Sequence, residues 1–350
     1  MLKYSRLSIF LAIAIAIISH SVGAEPTPAR HGEIQFIPSP SEDQSVPGPF
    51  RLPPNSFFFD EQSQPSPSDD VVVSFVTFPS PVVTPEVNNN TVHCEYFRPA
   101  KPGRYPAVIV LHILGGDFPL ARMFAANFAK HNVAALFVKM PYYGERRQPD
   151  SPARMISTDA EATVRGLTQA VKDIRYAAAF LAAQQEVDAK QLGIFGISLG
   201  GITASLAASA EPRFTKVCPL LAGGDLSQIL RDSSEKHLAA ARQRWLDQGR
   251  SLDDLSTLMK TIDPCSYLHA DPTSMNCPPR QVLMLNAAND EVIPRVCTNQ
   301  LWQAFGRPPI VWYDCGHYSA LLHVMDALDR TAEFFAETDV NVKDAARKAE

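Results

Sequence analysis

The stretch Gly193-Ile194-Phe195-Gly196-Ile197-Ser198-Leu199-Gly200-Gly201 constrains this 350-residue chain more than any other. Gln191 to Ile197 is a short apolar run of strand character, and Ile202 to Ala210 is Ala-rich and helical in character. The chain must therefore turn from strand to helix within a few residues. A turn that sharp leaves no room for Cβ atoms two positions to either side of Ser198, where Gly196 and Gly200 stand. It also puts Ser198 in a strained backbone conformation that lifts its Oγ out of the sheet. The first helical turn points unpaired N–H groups at that oxygen, so Ser198 is a candidate nucleophile with donors ready for developing negative charge.

The segments around this turn alternate in period. Val71 to Phe78 and Thr91 to Phe97 are strand-like and separated by turn-formers including Asn88, Asn89 and Asn90, which predicts an antiparallel hairpin at a sheet edge. Tyr105 to His112 is nearly continuous apolar sequence, as in a parallel strand covered on both faces. Leu120 to Lys130 reads as helix, Val133 to Met140 as strand, and Asp159 to about Gln184 as a long helix introduced by a Thr158/Glu161 capping box. Its Val164, Leu167, Val171, Ile174 and Ala178 form one apolar stripe. Lys216 to Leu221, Gln281 to Asn286 and Ile310 to Tyr313 are further strands, the last two followed by helices at Arg295 to Phe305 and Ser319 to Phe335. The expected fold is α/β, a mostly parallel sheet of about eight strands with helices on both faces.

One segment breaks the rhythm. About 224–279 carries helical stretches near Ser234 to Leu246 and Leu252 to Lys260, an insertion that would sit over the carboxyl ends of the strands as a lid or pocket wall.

The ends of the chain have a different character. Residues 1–24 read as an export signal, with Lys3 and Arg6 before the apolar stretch Leu7 to Ile18 and a small-residue cleavage site at Val22-Gly23-Ala24. Removing the two basic residues of that segment leaves 30 basic against 37 acidic side chains, a net charge of about −7. The expected location is secreted or periplasmic, with no stable membrane span after cleavage. Residues 25–70 are Pro- and Ser-rich and read as a loosely attached arm, apart from an apolar patch at Phe57 to Phe59. The catalytic domain is expected over 71–338, with a flexible polar tail at 339–350. Six cysteines at 94, 218, 265, 277, 297 and 315 permit up to three disulfides in an exported protein. Cys265 with Cys277 is the favoured pair. No basic block or zinc-finger spacing points to nucleic acid.

A serine hydroxyl needs a base within hydrogen-bond reach and an acid that holds the base in the right tautomer. Asp290 follows one strand in Asn289-Asp290-Glu291-Val292-Ile293-Pro294, and His317 follows the last in Asp314-Cys315-Gly316-His317-Tyr318. Both stand on the same sheet edge as Ser198, in chain order Ser, Asp, His. Glu291 and Asp314 are alternative acids, and His323 reads as structural.

On the strength of Gly196 to Gly201, the Asp290 to Pro294 pattern and Gly316-His317, residues 71–336 resemble the α/β-hydrolase superfamily, and within it the dienelactone-hydrolase-like and acetyl xylan esterase-like serine hydrolases. The resemblance implies that Ser198 forms an acyl-enzyme, His317 takes and returns the proton, and Asp290 orients the imidazole. It places one oxyanion donor at Leu199. The other falls at Leu114, in the loop His112-Ile113-Leu114-Gly115-Gly116, with the N–H of Ile113 as the alternative because Ile113 stands where the family has glycine. His112 reads as a brace for that loop. Pro141 to Arg147 resembles a rim segment of some relatives, in which Tyr142, Tyr143 and Arg146 would grip substrate. The equal alternative is that Arg146 pairs with a carboxylate and Tyr142 packs beneath the loop.

The expected function is a secreted serine ester hydrolase acting on a small-molecule or carbohydrate-linked ester, with no cofactor and no metal required. A serine peptidase or amidase of the same fold, and a non-catalytic binding module that kept the fold, are the alternatives.

Overall fold

The computed structural model describes residues 30–116, 118–232, 236–268 and 280–337. The expected export signal, the polar tail from 339 and Cys277 lie outside them.

Eleven strands form one sheet: β1 Arg30–Phe36, β2 Asn55–Gln64, β3 Val71–Pro79, β4 Thr91–Pro99, β5 Tyr105–Leu111, β6 Ala134–Val138, β7 Val187–Ile197, β8 Phe214–Leu220, β9 Gln281–Val282, β10 Met284–Ala287 and β11 Ile310–Tyr313. Their order is β1-β2-β3-β4-β6-β5-β7-β8-β10-β11, with β9 paired to β8. From β6 to β11 all pairings are parallel, whereas β1 to β4 and the β4/β6 pair are antiparallel.

The expected eight strands are thus corrected to eleven, and the two at the edge come from the segment expected to be a loose arm. Residues 30–64 supply β1, helix α1 (Pro40–Ser45) and β2, paired in the register Ile34↔Phe57 and Phe36↔Asn55. Alternate residues Ile34, Phe36, Phe57 and Phe59 point inward and are buried, and the Phe57 ring stacks on Tyr176 with centroids 4.3 Å apart. Glu61, buried on the same face, accepts from Ser74 Oγ at 2.7 Å and pairs with Arg30 and Arg98 at 2.9 and 3.0 Å. Alternation over two strands joined by a Pro-rich connection gives enough buried apolar area to hold this segment in place.

Helices cover both faces. On one, α2 (Pro119–Lys130) and α9 (Val324–Ala336) pack Phe124, Phe128, Leu328 and Phe335 against Val110 and Phe195 of β5 and β7. On the other, α3 (Ala160–Ala182), α4 (Leu199–Ala210) and α8 (Arg295–Ala304) bury Ile174, Leu206 and Leu301 with Ile109 and Ile194. The cap of α3 is Asp159, whose side chain accepts from Ala162 N, one residue after the expected Thr158. The stretch read as one strand over Gln281 to Asn286 divides into β9 and β10, and the stretch read as one helix from Ser319 begins as a 3-10 turn over Ser319–His323.

Among the described residues the insertion after β8 carries three helices where two were expected: α5 Leu226–Asp232, α6 Lys236–Asp247 and α7 Leu252–Lys260. Ser251 and Asp254 form a reciprocal capping box at the start of α7. The five described cysteines, Cys94, Cys218, Cys265, Cys297 and Cys315, are free thiols. No helix among the described residues is long and apolar enough to cross a membrane.

Candidate active site

The turn after β7 is as tight as its glycines require. A Cβ on Gly196 would lie 2.1 Å from the carbonyl oxygen of Gly200, and one on Gly200 would lie 2.6 Å from that of Leu111, so backbone occupies the space of both side chains. Ser198 adopts φ 55° and ψ −114°, a left-handed conformation costly for a residue with a Cβ. It is held there because its N–H donates to Leu220 O of β8 at 2.8 Å, while its carbonyl accepts from Ile202 N as α4 begins.

Three side chains from separate strand ends meet at this turn. His317 Nε2 lies 2.9 Å from Ser198 Oγ, and His317 Nδ1 lies 2.7 Å from Asp290 Oδ2. Asp290 also accepts from the N–H groups of Val292 and Ile293 at 2.8 and 2.7 Å, so its carboxylate is fixed by three donors. An acid ligated in this way accepts the Nδ1–H of the imidazole and leaves Nε2 as the acceptor for the serine hydroxyl. The alternative acids stand elsewhere. Glu291 Oε2 accepts from His317 N at 2.8 Å and so braces the loop that carries the histidine. Asp314 accepts from Asn289 Nδ2 at the surface. His323 stacks on Tyr313 with centroids 4.7 Å apart.

The loop after β5 is built around His112. This fully buried ring donates from Nδ1 to Ile113 O at 2.8 Å and accepts at Nε2 from Met140 N at 3.1 Å, tying the loops after β5 and β6 together. Burial pushes its pKa down to about 4, so the ring is neutral and serves as a brace. Ile113 packs into the core under α2, whereas Leu114 turns to the other face and lines a cavity with Ser198 and Leu199. Leu199 is the first residue of α4, where a backbone N–H has no acceptor within the helix.

That cavity, of about 120 Å³, lies where the insertion was expected to form a lid or pocket wall, and its size and lining are what residue types alone did not reveal. Its roof comes from the insertion, with Leu226, Ile229 and Leu230 of α5, Ala241 of α6 and Met259 of α7. Amphipathic spacing in those helices signals burial but does not say what they bury.

The rim segment takes the other of its two expected roles, which corrects its assignment to substrate. Arg146 has no exposed surface; its guanidinium pairs with Asp173 at 2.8 Å and donates to Lys139 O and Asn89 O. Tyr142 N donates to Asn89 Oδ1, and the Tyr143 ring packs edge-on against His112 at 4.6 Å. Neither tyrosine lines the cavity beside Ser198. Among the described residues no group of three or more His, Cys, Asp and Glu side chains is placed to hold a metal ion.

Comparison with known proteins agrees with this architecture. A family model described as alpha/beta hydrolase domain containing 18 matches residues 74–230, and one for the prolyl oligopeptidase family matches 166–307. The uncharacterized protein Rv2627c of Mycobacterium tuberculosis is 29% identical over 180 residues, which are 51% of this chain and 40% of the relative, so the match spans less than half of that protein. Acetyl xylan esterase 1 from Thermoanaerobacterium sp. JW/SL YS485 superposes with a TM-score of 0.60 at 17% identity, covering 77% of this chain and 87% of its own. The acetyl xylan esterase from Paenibacillus sp. R4 gives 0.61 at 16% identity, covering 95% of both chains. At such identities the superpositions speak for the fold. The two family models, each matching less than half of the chain, support the α/β-hydrolase superfamily, and the fold agrees with them.

Proposed function

We propose that the protein is a serine hydrolase acting on ester bonds through an acyl-enzyme on Ser198. The observation that carries this reading is the unbroken hydrogen-bonded chain from Ser198 Oγ through His317 to Asp290, at 2.9 and 2.7 Å, beside a cavity of its own.

The chemistry follows from those contacts. Ser198 Oγ attacks the ester carbonyl carbon as its proton passes to His317 Nε2, and the imidazolium so formed faces the Asp290 carboxylate. The carbonyl oxygen becomes an oxyanion within reach of the N–H groups of Leu199 and Leu114, each such donor being worth about 3 kcal/mol of transition-state stabilisation. The tetrahedral intermediate collapses as His317 returns the proton to the departing alcohol. A water then repeats the sequence on the acyl-enzyme and frees the acid. Export to the periplasm or outside the cell is part of the same proposal and rests on residues 1–24 alone.

A fluorophosphonate probe tests the reading. It should label the protein on Ser198 and leave Ser198→Ala unlabelled, with ester turnover falling by a factor on the order of 10⁶. Equal labelling of the two proteins, or none of either, overturns it.

The prolyl oligopeptidase family match over 166–307 favours one second reading, amide cleavage by the same serine. A peptidase that holds a free amino terminus would need a carboxylate beside the nucleophile, and among the described residues no Asp or Glu lines the cavity. Faster release of p-nitroaniline from amino-acid anilides than of p-nitrophenol from acetate would favour the peptidase.

A further inference from the structure

We infer that the cavity beside Ser198 is the acyl pocket, and that it takes an unsubstituted apolar acyl group of about four to six carbons, a class larger than acetyl and chemically unlike a sugar. The inference rests on the proposed hydrolysis at Ser198.

The direction of the bound ester is set by the two ends of the site. Leu114 and Leu199, whose N–H groups would meet the oxyanion, both line the cavity, so it continues directly from where the carbonyl carbon must sit. The alcohol must leave beside His317 Nε2, the atom that protonates it. His317 does not line the cavity, and its ring borders Tyr318, two-thirds exposed at 66%, with centroids 5.5 Å apart. The acyl part therefore enters the cavity and the alcohol part faces the open side.

The lining fixes the chemistry. Among the described residues no charged side chain and no Asn, Gln, His or Tyr contributes to it. Besides Ser198 its polar side chains are Ser157 and Thr163, and both are engaged locally. Thr163 Oγ1 accepts from Ser157 N at 3.0 Å and lies 3.2 Å from Ser157 O, while Ser157 Oγ accepts from Asp159 N at 3.1 Å. A hydroxylated group placed here would lose its hydrogen bonds to water and gain few in return. An alkyl chain loses nothing, and each methylene buried is worth about a fourfold gain in binding to the transition state. The volume sets the limit: about 120 Å³ compares with the ~150 Å³ apolar cavity that accommodates benzene. An acetyl group leaves most of that space empty, and a twelve-carbon chain exceeds it.

The test is kcat/KM for p-nitrophenyl acetate, butyrate, hexanoate, octanoate and dodecanoate, with enzyme concentration taken from fluorophosphonate labelling. The rate constant should rise by on the order of tenfold or more from acetate to its maximum at butyrate or hexanoate, then fall by dodecanoate. Ala241→Phe, which fills the roof, should move the maximum toward acetate, and Ile229→Ala, which enlarges it, toward octanoate. Circular dichroism establishes that each variant is folded. Should one fail to fold, the wild-type series and the other variant still decide.

A labelled enzyme whose rate falls with every added methylene overturns the acyl pocket and leaves the hydrolase reading standing. So does a folded pair of variants with the wild-type chain-length profile. An enzyme that does not label removes the hydrolase reading and the pocket with it.

Discussion

Two buried acid–base pairs are put to opposite uses: Arg146, in the turn after β6, with Asp173 of α3, and Asp290 with His317, each in a loop that follows a strand. Arg146 and Asp173 are fully buried, and the partners around them belong to the protein itself: Ser80 Oγ donates to Asp173 Oδ1, while the guanidinium donates to Lys139 O and Asn89 O. Asp290 and His317 are also nearly buried, with Asp290 saturated by three donors, but the far ring nitrogen of His317 faces a serine hydroxyl that adjoins a cavity. One pair closes a network and the other leaves one end open. Residue types do not separate the two cases. What separates them is what the last group of each chain adjoins: Ser198 opens on a cavity, whereas Arg146 ends among backbone carbonyls with its Nε left without a hydrogen-bond partner.

The sharpest way to break this contrast is to exchange one oxygen for nitrogen in the open pair. Asp290→Asn should keep the fold and lower kcat for an ester by about 10⁴-fold, because the amide favours the wrong imidazole tautomer. A loss of less than tenfold, measured by steady-state kinetics, would mean that Asp290 does not orient His317.

In the closed pair the loss should appear in stability. Burial raises the Asp173 carboxyl pKa and Arg146 opposes that rise, so Arg146→Leu leaves an acid in the core without its partner. Urea unfolding should show a loss of about 3–5 kcal/mol, most of it regained when Asp173→Leu is added. If Arg146→Leu left stability intact and raised KM, the arginine would be a substrate ligand after all.

A smaller effect comes from His112, which ties the loops after β5 and β6 together. Its folded pKa of about 4 lies below its ordinary 6.5. Between those values the unfolded chain binds more protons than the folded one, so stability falls as pH drops from 6.5 to 4 and is fully present above 6.5. The loss approaches about 3 kcal/mol at the acid end. Denaturation profiles over that window should be flatter in His112→Gln than in the wild type, and equal slopes would show that the ring is not buried neutral.

The sequence carried the parallel half of the sheet well. Long apolar runs and a 23-residue helix leave little freedom, and the reading of Ile310–Tyr313 agrees with β11 residue for residue. Ser198, Asp290 and His317 were legible as neighbours because each follows a strand, and strand ends in a parallel sheet converge on one edge. The edge strands were harder. Ile34/Phe36 and Phe57/Phe59 each alternate over a few residues only, and their inward direction becomes visible beside β3. Arg146 beside Arg147 is the same residue type with a different fate, buried in one case and exposed in the other, and no local signal distinguishes them. The size of the cavity was hidden for a related reason. The insertion was legible as a lid or pocket wall, but whether facing apolar stripes close on each other or leave a gap is decided by helix placement.

The roof over Ser198 is a single continuous excursion between β8 and β9, while the reacting groups hang from the strands themselves. The floor of the cavity stays with the body of the domain, in Leu114, Leu167, Ile202 and Ile293. Exchanging the excursion alone therefore redraws one wall of the cavity and leaves the opposite wall as it is.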